Sequence, residues 1–133
     1  MLMKRIMLIS DNPGTKTFQA ILSLKHHIIL KGGFISDIFF STYNLNIRNQ
    51  IAAKTDDHSI IVISLIKKNL QMIIQEPILM NILLNADHLS IYIFGAPSLC
   101  KYFDIGKNNI KYYNRAGVSK TSRKFKNEIL ERL

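Results

Sequence analysis

The feature that most constrains this chain is the alternation of short apolar runs, rich in β-branched residues, with longer segments whose apolar residues recur at helical spacing. The first pattern is typical of strands buried in a parallel sheet, and the second is typical of amphipathic helices. Alternation along the whole length predicts right-handed β–α–β units. We therefore expect a single domain over residues 1–133, a three-layer α/β/α sandwich with a mostly parallel five-stranded sheet.

The same patterns place the elements along the sequence. Strands are predicted at residues 4–10, 34–40, 59–65, 89–94 and 109–113, and helices at residues 15–31, 43–54, 70–85 and 117–133, with a short helical turn at 98–103. Gly32-Gly33 is a stop signal for the first helix. The predicted apolar side of that helix consists of Phe18, Ile21, Leu22, Leu24, Ile28 and Ile29. Pro77 bends or divides the third helix, because proline removes a backbone donor.

Composition excludes several classes of protein. Hydrophobic residues make up 47% of the chain and charged residues 20%, which is enough apolar content for a core and argues against disorder. The single cysteine, Cys100, cannot form an internal disulfide, so nothing requires an oxidising compartment. No apolar stretch approaches the roughly 20 residues that a membrane span needs. We expect a cytoplasmic protein that does not use a membrane.

Candidate ligand-binding residues follow from the predicted sheet. In an open parallel sheet, ligands bind beyond the carboxyl ends of the strands, here residues 10–16, 64–69 and 95–98. The candidates for a ligand or partner edge are Asp11, Asn12, Lys16, Ser64, Gly95 and Pro97. Residues 11–17 follow a strand and open a helix, where free backbone donors can hold an anion. The Walker spacing is missing, however, and an ordinary Asn or Thr cap is the favoured interpretation.

Complete catalytic or metal-binding motifs are absent from the sequence. It has no Gly-x-Gly-x-x-Gly fingerprint, and a phosphorelay receiver would require a carboxylate where the third strand ends in Ser64. His26 and His27 are adjacent, so on a helix they point about 100° apart and cannot share a metal. Asp56-Asp57 is interpreted as a solvated turn, and Cys100 has no evident base partner. We predict no catalytic residue, metal ligand or cofactor.

Positive charge is concentrated towards the C-terminus. The net charge is +9, and residues 101–133 hold nine basic residues against three acidic ones. The candidate polyanion-binding residues lie on the last predicted helix and are Lys120, Arg123, Lys124 and Lys126. Such a helix can bind phosphates, although a Lys-rich solvated helix has the same pattern. Binding of nucleic acid or another polyanion is therefore an alternative function.

The second half of the chain carries a family resemblance. It contains SIIVISL from Ser59, LSIYIFGAPSLCKYFD from Leu89, and NNIKYYN up to Asn114. These runs resemble the C-terminal α/β sandwich domain of family 3 glycoside hydrolases, particularly the bacterial β-N-acetylglucosaminidase type. The family's pattern is matched at Phe94, Gly95, Pro97, Leu99, Tyr102, Phe103 and Tyr113, and the run KRIMLIS resembles the domain's opening strand. Ala96 and Ser98 depart from it, where the family has asparagine and an aromatic residue.

The resemblance implies a role without chemistry of its own. In these enzymes the nucleophilic aspartate and the acid/base histidine belong to a preceding barrel domain, for which this chain has no room. The resemblance thus implies a non-catalytic accessory domain that acts by protein association, with a separate barrel-domain glycosidase chain or with a second copy of itself. A third hypothesis, a small independent enzyme, would use the loop at residues 11–16.

Overall fold

A computed structural model describes residues 5–40, 44–55, 59–103, 109–114 and 118–133, and these ranges contain five strands and five α-helices. The order of the elements is β1 (Arg5–Asp11), α1 (Lys16–Leu30), β2 (Phe34–Phe40), α2 (Leu45–Thr55), β3 (Ile60–Ser64), α3 (Lys67–Ile74), α4 (Pro77–Asn85), β4 (Ser90–Gly95), a 3-10 helix (Pro97–Tyr102), β5 (Ile110–Asn114) and α5 (Val118–Glu131).

The strands form one sheet in the order β2-β1-β3-β4-β5, and every neighbouring pair is parallel. The predicted sandwich is confirmed, with a sheet that is parallel throughout. Flavodoxin-like doubly wound domains share this strand order. The direction of winding reverses between β1 and β3, so the crevice in which such folds usually bind ligands lies at the carboxyl ends of these two strands.

Two apolar clusters, one on each face of the sheet, hold the helices in place. One cluster joins Met7, Ile9, Ile61 and Ile63 of the strands to apolar residues of α2, α3 and α4. The other joins alternate strand residues, such as Leu8, to α1 and α5. Because successive strand side chains point to opposite faces, every residue of β3 is buried between these two layers.

The element boundaries show where local signals were decisive. β2 has the predicted bounds, and Gly32, with φ +80°, takes the left-handed conformation that ends α1. Pro77 divides the third predicted helix, since it is the first residue of α4, and the Glu76 side chain accepts a hydrogen bond from the Ile78 N–H (3.2 Å). Across the described ranges, no helix is long and apolar enough to cross a membrane.

Two of the apolar positions that helical spacing identifies in α1 do not belong to the core. Leu22 is 48% exposed and Ile29 is 55% exposed. The buried side of α1 consists of Thr17, Ile21, Leu24 and Ile28. The helix therefore has a wider apolar surface than the sheet covers.

Candidate functional site

The predicted ligand edge lies where β1, β3 and β4 end next to one another. Register pairs Ser10 with Ser64, and Ser64 in turn with Phe94, the residue before Gly95. The structure thus brings Asp11, Ser64 and Gly95 to one edge of the sheet, as predicted. The side chains around them decide what this edge can do.

Asp11 is the centre of a buried hydrogen-bond network. Its side chain is 1% exposed and accepts hydrogen bonds from the Thr17 hydroxyl, the Asn69 side-chain amide and the Ile66 backbone N–H (2.7 Å). Three donors from α1, from α3 and from the turn before α3 therefore meet one carboxylate. Such charge-assisted bonds are among the strongest in proteins, so Asp11 joins β1 to the starts of both helices.

Thr17 and Asn69 were not predicted as site residues, although the sequence carries a signal for them. Thr17 occupies an otherwise apolar helical series with Ile21 and Leu24, and Asn69 lies beside the buried Leu70. A polar residue at a buried helical position needs a hydrogen-bonding partner, because burial without one is costly. That requirement could have pointed to the buried Asp11.

Two serines lie side by side at the ends of β1 and β3, and both are fully buried. The Ser64 hydroxyl donates to the backbone oxygen of Thr17 (3.0 Å), so it attaches β3 to the first turn of α1. The Ser10 hydroxyl has no hydrogen-bond partner among the described residues. A phosphorelay receiver would have a carboxylate at the end of β3. This chain has Ser64 there, and its hydroxyl makes a structural hydrogen bond to α1.

The end of β4 is covered by a tyrosine. A Cβ atom added to Gly95 would lie 2.7 Å from the Tyr112 hydroxyl oxygen and 2.7 Å from Cδ2 of Leu70. The Tyr112 hydroxyl donates to the backbone oxygen of Ala96 (2.5 Å). Pro97 follows as the exposed first residue of the 3-10 helix. Gly95 is therefore required by close packing, which needs no ligand.

The loop after β1 is closed by an ordinary helix cap, as predicted. The Thr15 side chain accepts a hydrogen bond from the Phe18 N–H (3.1 Å) and donates to the carbonyl oxygen of Asn12 (3.2 Å). Asn12 and Lys16 are both exposed. The hydroxyl cap satisfies one of the free backbone donors that an anion would otherwise use.

The predicted polyanion-binding residues belong to α5, the last helix of the chain. Acidic side chains lie beside them. Arg123 and Lys124 are exposed and Lys126 is half-buried, whereas the side chain of Lys120 lies outside the described residues. The Lys124 ammonium is 4.0 Å from the Glu128 carboxylate, one helical turn away. Beyond Glu128, Glu131 lines the same shallow depression as Arg123 and Lys124, so this face of α5 carries both signs of charge.

Glu128 has a second, more buried contact. The Tyr113 hydroxyl of β5 donates a hydrogen bond to the Glu128 carboxylate. Burial, together with this hydrogen bond and the negative charge of Glu128, raises the pKa of the Tyr113 hydroxyl above its ordinary range. The contact ties α5 to the sheet, so Glu128 has a structural role as well as a surface position.

The other chemical candidates are dispersed. His26 and His27 are exposed, and their rings are nearly perpendicular (87°). Nδ1 of His27 forms a hydrogen bond with the Ser23 backbone oxygen (2.8 Å). Cys100 is half-buried. Within the described ranges, no three His, Cys, Asp or Glu residues are grouped closely enough to hold a metal ion. The predicted turn at Asp56-Asp57 lies outside these ranges.

Comparisons with known proteins add little to the geometry. No family model matches the chain, and no curated protein matches it. A solved structure with a weak likeness is the constitutive lysine decarboxylase of E. coli, with 13% sequence identity and a TM-score of 0.49. The likeness covers 96% of this chain but only 18% of that one. The resemblance to family 3 glycoside hydrolases therefore stays a prediction.

Proposed function

We propose that the chain is a non-catalytic α/β domain that acts by protein association, as an accessory domain of the glycoside hydrolase type. The observation that carries the proposal is the carboxylate of Asp11, which is buried and bound by three structural hydrogen bonds in the crevice where this strand order usually binds a ligand. A general base or a metal ligand needs free lone pairs facing a substrate. Asp11 is 1% exposed and already accepts three hydrogen bonds.

The rest of the same edge supports the proposal. Tyr112 and Leu70 occupy the space beside Gly95, and the Ser64 hydroxyl is hydrogen-bonded to the first turn of α1. A substrate would have to displace buried contacts on all three strands. A function at the outer surface of the domain avoids this cost. On this proposal the protein is cytoplasmic, and its partner is a barrel-domain glycosidase chain or a second copy of the chain.

Two measurements test the proposal together. The tagged chain is used to capture partners from its native lysate at low and high salt, and the purified chain is assayed alone with an aryl N-acetylglucosaminide. We expect a protein partner that resists high salt and no turnover by the chain itself. Turnover by the pure chain, or the absence of any salt-resistant protein, would overturn the proposal. If the captured partner is a barrel-type glycosidase, the result supports the proposal that the chain is an accessory domain of the glycoside hydrolase type.

Polyanion binding is the second candidate, favoured by the net charge of +9 and the exposed Arg123 and Lys124. The neighbouring Glu128 and Glu131 weaken it, because they repel phosphates along the same helix. Fluorescence anisotropy with a labelled 20-nucleotide RNA provides the test. Genuine phosphate contacts release counterions, so affinity must fall steeply between about 50 and 200 mM salt and fall again in Arg123→Glu. Failure of either effect eliminates this candidate.

A further inference from the structure

Four exposed lysines lie at the carboxyl edge of the sheet. Lys16 is the first residue of α1, and Lys67 and Lys68 are the first two residues of α3. Lys101 belongs to the 3-10 helix that follows β4. All four side chains are exposed, and none of them forms an ion pair with another described residue. We call these four residues the cationic rim.

The buried network beneath this edge brings the lysines together. Asp11 accepts hydrogen bonds from Thr17 and Asn69, so the first turns of α1 and α3 meet at the end of β1. Each of these two donors directly follows a lysine of the cationic rim in the sequence. The 3-10 helix contacts both α3 and β5, which places Lys101 further along the same edge. Because helical side chains lean towards the N-terminus of their helix, the lysines of α1 and α3 lean over the edge.

The positive charge of the cationic rim is not balanced locally. Within the described ranges, the first turn of every helix lacks an acidic residue. Acidic residues are favoured there because the helix dipole is positive at the N-terminus, and the lysines add to this positive potential instead of opposing it. The Asp11 carboxylate lies beneath the rim, but it is 1% exposed and already bound by three donors. The rim therefore attracts a polyanion without a neighbouring carboxylate such as Glu128, which accompanies Lys124 on α5.

An exposed aromatic ring lies at one end of the cationic rim. Tyr102 is the last residue of the 3-10 helix and is 43% exposed. The Lys101 ammonium lies 5.4 Å from the centroid of its ring. Proteins that bind single-stranded nucleic acid combine cations, which follow the phosphates, with aromatic rings, on which bases stack. The bases of a duplex are already stacked and an anionic lipid surface has none, so the ring favours a single strand over these other polyanions.

We propose that the cationic rim and Tyr102 bind single-stranded nucleic acid. The phosphates of the strand contact the lysines, and one base stacks on the Tyr102 ring. The strand lies on the outside of the edge, so it displaces none of the buried contacts around Asp11. The site is separate from the basic residues of α5. It adds a ligand to the proposed association function and does not depend on that function.

The first test compares two double variants of the full chain that change the net charge equally. One carries Lys67→Glu and Lys68→Glu, and its matched control carries Arg123→Glu and Lys124→Glu; each replaces two adjacent, exposed cations of a helix. Binding of a labelled 20-nucleotide oligouridylate is followed by fluorescence anisotropy from about 50 to 200 mM salt. We expect the rim variant to bind at least about tenfold more weakly at the lowest salt, and the control to stay within about threefold of the parent.

The salt dependence reports the number of phosphate contacts. Loss of two contacts to a single strand should lower the slope of log affinity against log salt by about 1.4 in the rim variant. Glutamates in the first turn of α3 suit the helix dipole, so the variant should remain folded, which urea unfolding checks. No binding by the parent chain, or an equal loss of affinity in the two double variants, would overturn the proposal, since an equal loss reports net charge alone.

The second test concerns the aromatic ring. Tyr102→Ala should weaken the oligouridylate at least about fivefold with an unchanged salt slope, and Tyr102→Phe should retain the affinity because it keeps the ring. An RNA duplex of the same length should bind Tyr102→Ala and the parent chain equally.

Other results would assign the charge to a different ligand or site. Tyr102→Ala without effect on the oligouridylate, or tighter binding of the duplex than of the single strand, would overturn the proposal. Binding to phosphatidylglycerol vesicles but not to RNA would also overturn it. A loss confined to the Arg123 and Lys124 variant would move polyanion binding to α5. Capture of a salt-resistant protein from lysate tests the association function separately.

Discussion

Replacement of Asp11 by alanine tests the interpretation of the buried network most directly. The change removes the acceptor for the Thr17 hydroxyl, the Asn69 amide and the Ile66 N–H. Each hydrogen bond to a charged group contributes about 1.5–3 kcal/mol, and each buried donor left without a partner is costly. Because the three bonds share one carboxylate, their losses are not additive. We expect Asp11→Ala to lower the free energy of unfolding by about 3–5 kcal/mol.

Asp11→Asn provides the matched control. Its side chain has the same shape, and its one oxygen can still accept from Thr17 and Ile66. The Asn69 amide can turn so that its oxygen accepts from the new amide nitrogen, which keeps one hydrogen bond between the two side chains. The assistance from the charge is lost, and the turned Asn69 amide nitrogen no longer donates to residue 11. We expect a loss of about 1–2 kcal/mol, clearly smaller than the loss in the alanine variant.

Urea unfolding followed by far-UV circular dichroism at pH 7 measures both variants. The slope of the unfolding free energy against urea concentration (the m-value) should be the same in all variants, so that differences in the midpoint report differences in stability alone. An alanine variant within about 1 kcal/mol of the parent, or as stable as the asparagine variant, would refute the structural role of Asp11. A more stable alanine variant would be especially informative. It would indicate a carboxylate retained for binding at the expense of stability, as happens at functional sites.

Three further predictions use the same assay. Gly95→Ala should lower stability by about 1–3 kcal/mol through its clash with the Tyr112 hydroxyl, and Tyr112→Phe in the same chain should recover part of the loss. Thr15→Ala should cost about 1 kcal/mol by removing the cap of α1, whereas Thr15→Ser should cost less. The raised pKa of Tyr113 means that the unfolded chain loses the tyrosine proton first. Stability should therefore fall as the pH rises above about 10, and less steeply in Tyr113→Phe, whereas parallel pH curves would argue against the buried contact with Glu128.

Local signals were sufficient for most of the fold. A run rich in Ile and Phe predicted β2, a run of β-branched residues predicted the buried β3, and a single proline divided α3 from α4. The order of the strands carries no comparable local signal. It determines that β1 lies beside β3, and so that Asp11 meets Asn69, 58 positions further along the chain. The ends of the predicted strands meet at one edge of the sheet, whereas the pairing of Asp11 with Asn69 depends on the strand order, which the sequence pattern does not give.

The exposed residues of α1 illustrate the other limit of sequence patterns. Helical spacing identified Leu22 and Ile29 as apolar positions, but it does not tell how far the sheet extends beneath them. The stripe of α1 that packs on the sheet consists of Thr17, Ile21, Leu24 and Ile28, and Leu22 and Ile29 lie outside it. An apolar residue at the flank of a layer is thus ambiguous in sequence between core and interface.

Ser10 and Ser64 provide a test of how completely the ligand edge is filled. They are neighbours in register, equally buried, and differ in one respect: Ser64 donates to the Thr17 backbone oxygen, whereas Ser10 has no partner in the described part of the chain. Ser64→Ala should therefore cost about 1 kcal/mol, and Ser10→Ala should be neutral or stabilising, because a buried hydroxyl without a partner is unfavourable. If both variants lose the same stability, the Ser10 hydroxyl has a partner, such as a bound water or ligand, at the end of β1. A ligand at that position would weaken the argument for a non-catalytic domain, which would then rest on the buried hydrogen bonds of Asp11 alone.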